Sequence, residues 1–365
     1  MSLLTVPALV VGFVLLVAGG ELLVRGGSGL GRSLGLSPLV VGLTVVAFAT
    51  SAPELAVSLD ATLSGSPGLA VGNVVGSNIT NVLLVLGLSA LVLPVVVRRQ
   101  LVRLDVPVVI ALSVLVLVLM LDGTVGRLDG VVLVALLVGY VGSTVVVGRR
   151  AGAQAVPPTA APDEGPAPAP RPLTDVLLVV GGVVLLVLGA RLLVGAATDI
   201  ATSLGVSDLV IGLTVVAVGT SLPELATSVI AAVRGEQEMA IGNVVGSNVF
   251  NLTAVLGLTA TIAPDGVPVD AAALRFDVPV MVVTAIALLP VVFTGLTIAR
   301  WEAAVFLAFY VAYVAYLLLA AADHDAVPAF SAVMLGFVAP LTVLTLGVLV
   351  AHEVRRRRDA GLPLA

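Results

Sequence analysis

Two five-residue segments hold the groups of this chain that could do chemistry, Thr50-Ser51-Ala52-Pro53-Glu54 and Thr220-Ser221-Leu222-Pro223-Glu224. Each sets a carboxylate and a proline inside an apolar run. A carboxylate at mid-membrane depth costs at least about 2.5–3.5 kcal/mol, so Glu54 and Glu224 need a reason to be there. One buried glutamate reads as a protonated structural residue; two at matched positions, each after Thr-Ser-x-Pro, read as a site. Pro53 and Pro223 lack the amides that would bond the carbonyls of Ala49 and Gly219, which leaves backbone oxygen available beside the acids. Thr50 and Glu54 are four apart, as are Ser77 and Asn81, so each pair shares a helix face.

Hydroxyl, carbonyl, amide and carboxylate oxygens are hard donors. They suit Ca²⁺, which takes six to eight oxygens, and they also suit Na⁺. The chain has no cysteine, and His324 and His352 lie outside the motifs, so a transition-metal centre has no ligands of the usual kind. An intramembrane hydrolase would want a nucleophile beside a base, and a membrane scaffold would not need two matched acids. Neither an enzyme activity nor a resident cofactor is expected, nor is a nucleic-acid partner.

The match between the segments continues through Gly72-Asn73-Val74-Val75-Gly76-Ser77-Asn78 and Gly242-Asn243-Val244-Val245-Gly246-Ser247-Asn248, in one register, since 224 − 54 = 170 and 243 − 73 = 170. A period this long in an apolar chain indicates a duplicated membrane bundle. Of 365 residues, 59% are hydrophobic and 11% charged, with mean hydropathy +1.21. That composition requires a bilayer as partner.

Eleven stretches are long enough to span it. Five, near 3–24, 38–64, 69–93, 105–121 and 128–148, precede a linker rich in Ala and Pro. Six follow, near 173–197, 208–233, 239–263, 277–297, 300–321 and 328–351. The domain reading is a first five-helix half over 1–148, a cytoplasmic linker over 149–172, a second half over 173–321, and an extra helix with a basic tail over 322–365. Pro53 and the Gly/Ser/Asn cluster at 72–81 are expected to interrupt the second and third spans. Gly68, Gly72 and Gly76, four apart, are expected to let the third span approach its neighbours closely. Asn73 and Asn243 could cap broken half-helices or line the cavity.

An odd number of spans in the first half inverts the second, giving an all-α inverted repeat with a ten-helix core and an eleventh C-terminal helix. All 17 basic residues are arginine. With the N-terminus outside, Arg25, Arg32, Arg98, Arg99, Arg103, Arg149, Arg150, Arg171, Arg234, Arg300 and Arg355 to Arg358 fall inside; Arg127, Arg191 and Arg275 fall outside, as the positive-inside rule requires. Asp265, Asp270, Asp277, Asp323 and Asp325 are expected as solvated residues of the outer loops. Two ionised glutamates in an empty, low-dielectric site are costly, so the unloaded protein should rarely switch sides. That condition favours exchange over leak.

These blocks resemble the α-repeats of the Ca²⁺/cation antiporters, and within them the sodium/calcium exchangers: Ala49-Thr-Ser-Ala-Pro-Glu54 with Gly72 to Asn81, and Gly219-Thr-Ser-Leu-Pro-Glu224 with Gly242 to Asn251. The resemblance implies Na⁺ entering down its gradient to drive Ca²⁺ out across the cell membrane by alternating access, electrogenically. It also implies that Glu54 and Glu224 bind Ca²⁺. Thr50, Ser51, Ser77, Thr220, Ser221 and Ser247 would supply oxygens to Na⁺ and Ca²⁺, Ala47 and Ala217 would supply carbonyls, and Asn81 and Asn251 would complete the centre. Ala49 replaces the usual glycine. Asn251 stands where some relatives carry Asp, which likens the site to the potassium-independent branch. Gly76 and Gly246 occupy the position where the proton-coupled branch carries Glu. The alternative is exchange of Ca²⁺ for H⁺, or of another divalent cation.

Overall fold

The protein is described here from a computed structural model covering residues 5–66, 68–154, 171–206, 208–211, 214–215 and 217–360. Most of the expected linker therefore lies outside the described residues. Among the described residues, ten helices are long and apolar enough to cross a membrane: α1 (Thr5–Leu34), α2 (Pro38–Leu63), α3 (Gly68–Val92), α4 (Leu101–Asp122), α5 (Arg127–Gln154), α6 (Pro172–Ser203), α8 (Gln237–Ile262), α9 (Ala273–Phe293), α10 (Arg300–Ala321) and α11 (Val327–Asp359). Between α6 and α8 lies the shorter apolar helix α7 (Leu222–Val233), preceded by the turns Asp208–Ile211 and Ala217–Thr220.

The helix ends differ from the hydropathy reading in instructive places. α1 continues to Leu34, and α6 runs to Ser203. Arg25 is thus a helix residue, not a loop residue, and it pairs with Glu21 one turn back. α3 is not broken at its glycines: it is α-helical from Gly68 to Thr80 and widens into a π-helical turn only at Asn81–Leu86. α8 does the same at Asn251–Val255, again 170 residues on.

Two short antiparallel ribbons fix the relation of the halves. β1 (Val95–Val96), after α3, pairs with β4 (Thr297–Ile298), after α9; β2 (Thr124–Val125), after α4, pairs with β3 (Val267–Pro268), after α8. Consecutive spans end on opposite faces of a membrane. The end of the third helix of one half can therefore meet the end of the fourth helix of the other only if the halves are inverted. We refer below to the β1–β4 face and the β2–β3 face.

α1 and α6 cross along glycines spaced by seven. A Cβ built on Gly12, Gly19 or Gly26 would lie 2.7–2.9 Å from backbone atoms around Gly189, Gly182 and Asp175. Side chains cannot enter so close an approach. Gly19→Ala and Gly182→Ala should each cost about 1–3 kcal/mol through overpacking, read as a lower melting temperature in detergent, whereas Gly181→Ala, with its nearest neighbour at 4.0 Å, should not.

Outside the motifs, two matched pairs, one buried and one half-buried, join neighbouring helices. Tyr140 donates to Asp105 Oδ1 at 3.1 Å, and Tyr313 donates to Asp277 Oδ1 at 2.8 Å. Asp277 is therefore not a solvated loop residue: it sits in the first turn of α9, and a tyrosine hydroxyl offsets its burial. α11 is tied in at its last turns. Glu353 accepts from Arg356 and Arg357, and Arg357 donates to the Phe293 carbonyl at 3.1 Å with its guanidinium 4.8 Å from the Phe293 ring.

Candidate functional site

Ser51 and Ser221 are the joints on which the two motifs turn. Their ψ angles, −1° and 6°, fall in the bridge region between helix and strand, and a new helix starts directly after each with Pro53 or Pro223 in its first turn. The carboxylates therefore sit in the first turns of helices, where the unpaired amides and the helix dipole favour negative charge. Ser51 donates its amide to the Ala47 carbonyl at 2.9 Å, whereas Ser221 donates to Val218 at 3.1 Å, so the two joints are not identical.

Glu54, Glu224, Asn81, Asn251, Ser247 and Ala47 are fully buried, and Thr50, Ser51, Ser77 and Ser221 are nearly so. Thr220 is half-buried. Ala217 lies in the turn before it; its side chain is outside the described residues. The halves interlock through these groups: Thr50 Oγ1 lies 3.2 Å from Ser247 Oγ, Asn251 Nδ2 donates to Ser77 Oγ at 2.9 Å, and Asn81 Nδ2 donates to Asn248 Oδ1 at 3.1 Å.

Satisfaction of hydrogen bonds is where this centre departs from an ordinary core. Both carboxylate oxygens of Glu54 and of Glu224, Oδ1 of Asn81 and of Asn251, and Oγ of Ser51 and of Ser221 are buried without a hydrogen-bond partner. Buried polar atoms in native proteins are nearly always paired, because an unpaired one costs about 1–3 kcal/mol. Unpaired oxygens gathered around two acids, each amide having already committed its nitrogen elsewhere, form a set that a hard cation satisfies and that protein alone does not. The Ala47 carbonyl is partly engaged, since it accepts from the Ser51 amide and, at 3.4 Å, from Thr50.

Asn73 and Asn243 neither cap a broken helix nor stand free in the cavity. Asn73 Nδ2 donates to the Glu54 carbonyl at 3.1 Å and to Ser58 Oγ at 2.9 Å. Asn243 Nδ2 does the same for the Glu224 carbonyl, at 3.5 Å, and Ser228 Oγ, at 3.0 Å. Ser58 and Ser228 were not singled out from the sequence. Their common register, 228 − 58 = 170, and their place one helical turn after each glutamate were the available signal.

The two faces differ. At the β1–β4 face the halves are shut together: a Cβ on Gly42 would lie 2.6 Å from the Met239 carbonyl, one on Gly242 2.7 Å from that of Leu39, and one on Gly246 2.7 Å from that of Leu43. Pairs between Glu21 and Arg234 and between Arg98 and Glu238, with a Ser28 to Glu236 hydrogen bond, close over it. At the β2–β3 face the mirror glycines are uncovered: Gly72 is exposed, Gly76 half-buried, and among the described residues nothing comes within 4 Å of a Cβ on either. Close packing thus belongs to Gly242 and Gly246, not to Gly68, Gly72 and Gly76 as the sequence pattern suggested.

Two inverted helical bundles that meet at a buried, oxygen-lined centre have the architecture of a secondary transporter. The profile of the sodium/calcium exchanger protein family matches residues 4–146 and 174–319, and the chain belongs to that family. It is 35% identical over 341 residues to the sodium/calcium exchanger MaX1 of Methanosarcina acetivorans, covering 85% of this chain and 97% of that protein. It is 40% identical over 279 residues to the putative antiporter CaxA of Alkalimonas amylolytica, covering 76% and 86%. A solved structure of the sodium-calcium exchanger NCX_Mj, soaked with zero Na⁺ and Ca²⁺, superposes with a TM-score of 0.73 at 33% identity, over 87% of this chain and all of that one.

Proposed function

We propose that this protein exchanges Na⁺ for Ca²⁺ by alternating access at the centre formed by Glu54 and Glu224. The observation that carries this reading is the set of buried, unpaired oxygens on Glu54, Glu224, Asn81, Asn251, Ser51 and Ser221. Ca²⁺ takes Glu54 and Glu224 as its charged ligands, with amide and hydroxyl oxygens completing its six to eight contacts. Na⁺, carrying half the charge, takes Thr50, Ser51 and Ser77 with the Ala47 carbonyl on one side, and Thr220, Ser221 and Ser247 with the Ala217 carbonyl on the other. Asn81 and Asn251 stand between the two sets. Because either load neutralises the acids and the empty site does not, loaded forms cross and the empty form stays.

The β1–β4 face is cytoplasmic in this reading. Arg98, Arg99, Arg234, Arg300 and Arg355 to Arg358 lie at it, while Arg127 and Arg275 lie at the other. The N-terminus is then outside, the linker over 149–172 and the C-terminal tail inside, and the face left uncovered in the present conformation is the outer one. The two halves, 1–148 and 173–321, supply one motif each; the segment 322–365 adds a helix tied to the second half through Arg357 and Phe293. In the plasma membrane the Na⁺ gradient would drive Ca²⁺ outward, moving net charge in each cycle.

The test is uptake of radioactive Ca²⁺ into proteoliposomes loaded with Na⁺. Uptake should require internal Na⁺, be unaffected by replacing external K⁺ with an inert cation, and follow an imposed membrane potential. Uptake driven by a pH gradient in Na⁺-free buffer would make the protein a Ca²⁺/H⁺ antiporter instead.

A further inference from the structure

We infer that Asn73 and Asn243 are positioning residues that report which face is closed, each holding its own half through the amide nitrogen and gripping the opposite half through the amide oxygen. The inference rests on the alternating-access reading above. Its evidence is that one structure shows the two copies in different surroundings. Asn243 stands on the shut side, among Gly242, Gly246 and the residues they touch; Asn73 stands on the uncovered side, beside Gly72 and Gly76.

The nitrogen contacts are the same in both copies. Asn73 reaches the Glu54 carbonyl and Ser58, and Asn243 reaches the Glu224 carbonyl and Ser228. A contact present on both the shut and the uncovered side does not change as the faces alternate. Each asparagine therefore pins its helix, α3 or α8, to the glutamate-bearing helix of the same half, α2 or α7, and the pair moves as one body.

The oxygen contact crosses between halves. Asn243 Oδ1 accepts from Thr50 Oγ1 at 3.0 Å, and Thr50 also lies 3.2 Å from Ser247. All three are buried. Because an amide offers donors on one side and an acceptor on the other, one residue can serve its own half and the opposite half at once. By the inverted symmetry, the state closed at the β2–β3 face pairs Asn73 Oδ1 with the Thr220 hydroxyl. Thr50 and Thr220 are proposed cation ligands, so the asparagines link closure of each face to the placement of a ligand.

This makes a prediction of opposite sign for the two residues. Asn243→Ala removes the bond that belongs to the β1–β4-closed state, so it should shift the population toward opening at that face. Asn73→Ala should shift it the other way. Each shift should be roughly fivefold, the weight of one net hydrogen bond. Ser58→Ala and Ser228→Ala weaken contacts common to both states and should leave the distribution near that of the parent.

The chain has no cysteine, so Leu69→Cys and its mirror Met239→Cys report the two faces by their rates of reaction with an impermeant maleimide, added from the appropriate side of oriented vesicles; Leu69 is exposed and Met239 buried in the present conformation. In the Asn243→Ala background, Met239→Cys should react faster and Leu69→Cys more slowly; in Asn73→Ala the order reverses. Where an alanine variant does not fold, Asn73→Thr and Asn243→Thr are read in the same way. Shifts in the same direction, or none, overturn the inference. Failure of the transport reading is seen separately: with both asparagines intact, the two reporters would then show no reciprocal response to Na⁺ and Ca²⁺.

Discussion

Glu54→Gln or Glu224→Gln is expected to reduce Na⁺-driven Ca²⁺ flux by at least about 100-fold, since losing one partner of a buried charge interaction costs roughly 3–5 kcal/mol. The amide keeps the volume of the side chain. It removes one of the two charges in the centre and leaves Ca²⁺ with ligands that are otherwise neutral. The fold should survive, because the surrounding helices are held by glycine contacts and by the asparagine clamps, which bond the glutamate's backbone and not its carboxylate. Either variant should melt no lower than the parent in ion-free buffer, where one uncompensated buried carboxylate has been removed. Near-normal flux in both variants would assign the glutamates to structure.

Gly246→Leu and Gly76→Leu should both stop exchange, and should do so by trapping opposite states. At Gly246 even a Cβ would meet the Leu43 carbonyl and the Ala47 side chain at 2.7 Å, so leucine there holds the β1–β4 face apart. An overpacking cost of about 3 kcal/mol corresponds to roughly a 100-fold shift in population. At Gly76 there is room in the present conformation. Leucine there is accepted now and obstructs only the closure that must follow. Gly76→Leu should retain Ca²⁺ binding from the β2–β3 side at equilibrium while flux is lost; Gly246→Leu should lose binding from that side as well. If Gly76→Leu transports normally, the β2–β3 face does not close by the mirror of the contact seen at Gly242 and Gly246.

Much of this was legible in the residues themselves. The 170-residue register located both acids and both asparagine pairs, because burying charge in a membrane leaves few alternatives. Inversion followed from an odd number of spans. What the pattern could not show is anything that breaks the symmetry it was read from. Gly72 and Gly242 are identical in sequence, yet one is uncovered and the other packed, since that difference belongs to a conformation and not to a composition. Asp277 reads as a loop acid by its neighbours Arg275 and Phe276; only the packing of α9 against α10 brings Tyr313 to it. The break at Ser51 was placed at Pro53 because proline is the visible irregularity, while the helix in fact ends before it and proline starts the next one.

The two β ribbons carry a consequence for descent. Among the described residues, every strand pair joins one half to the other, and no strand pairs within its own half. A half standing alone would leave both of its two-residue edges unpaired, while two copies inserted in opposite senses would complete both ribbons at once. An ancestral half-length chain of dual orientation could thus have worked as a dimer before its gene was doubled, with covalent fusion adding local concentration and freeing the copies to diverge. Arg234 and Glu236, which help close the β1–β4 face, stand where the mirror hairpin carries Ser64 and Ser66, so the two copies differ there in the charges that close a face.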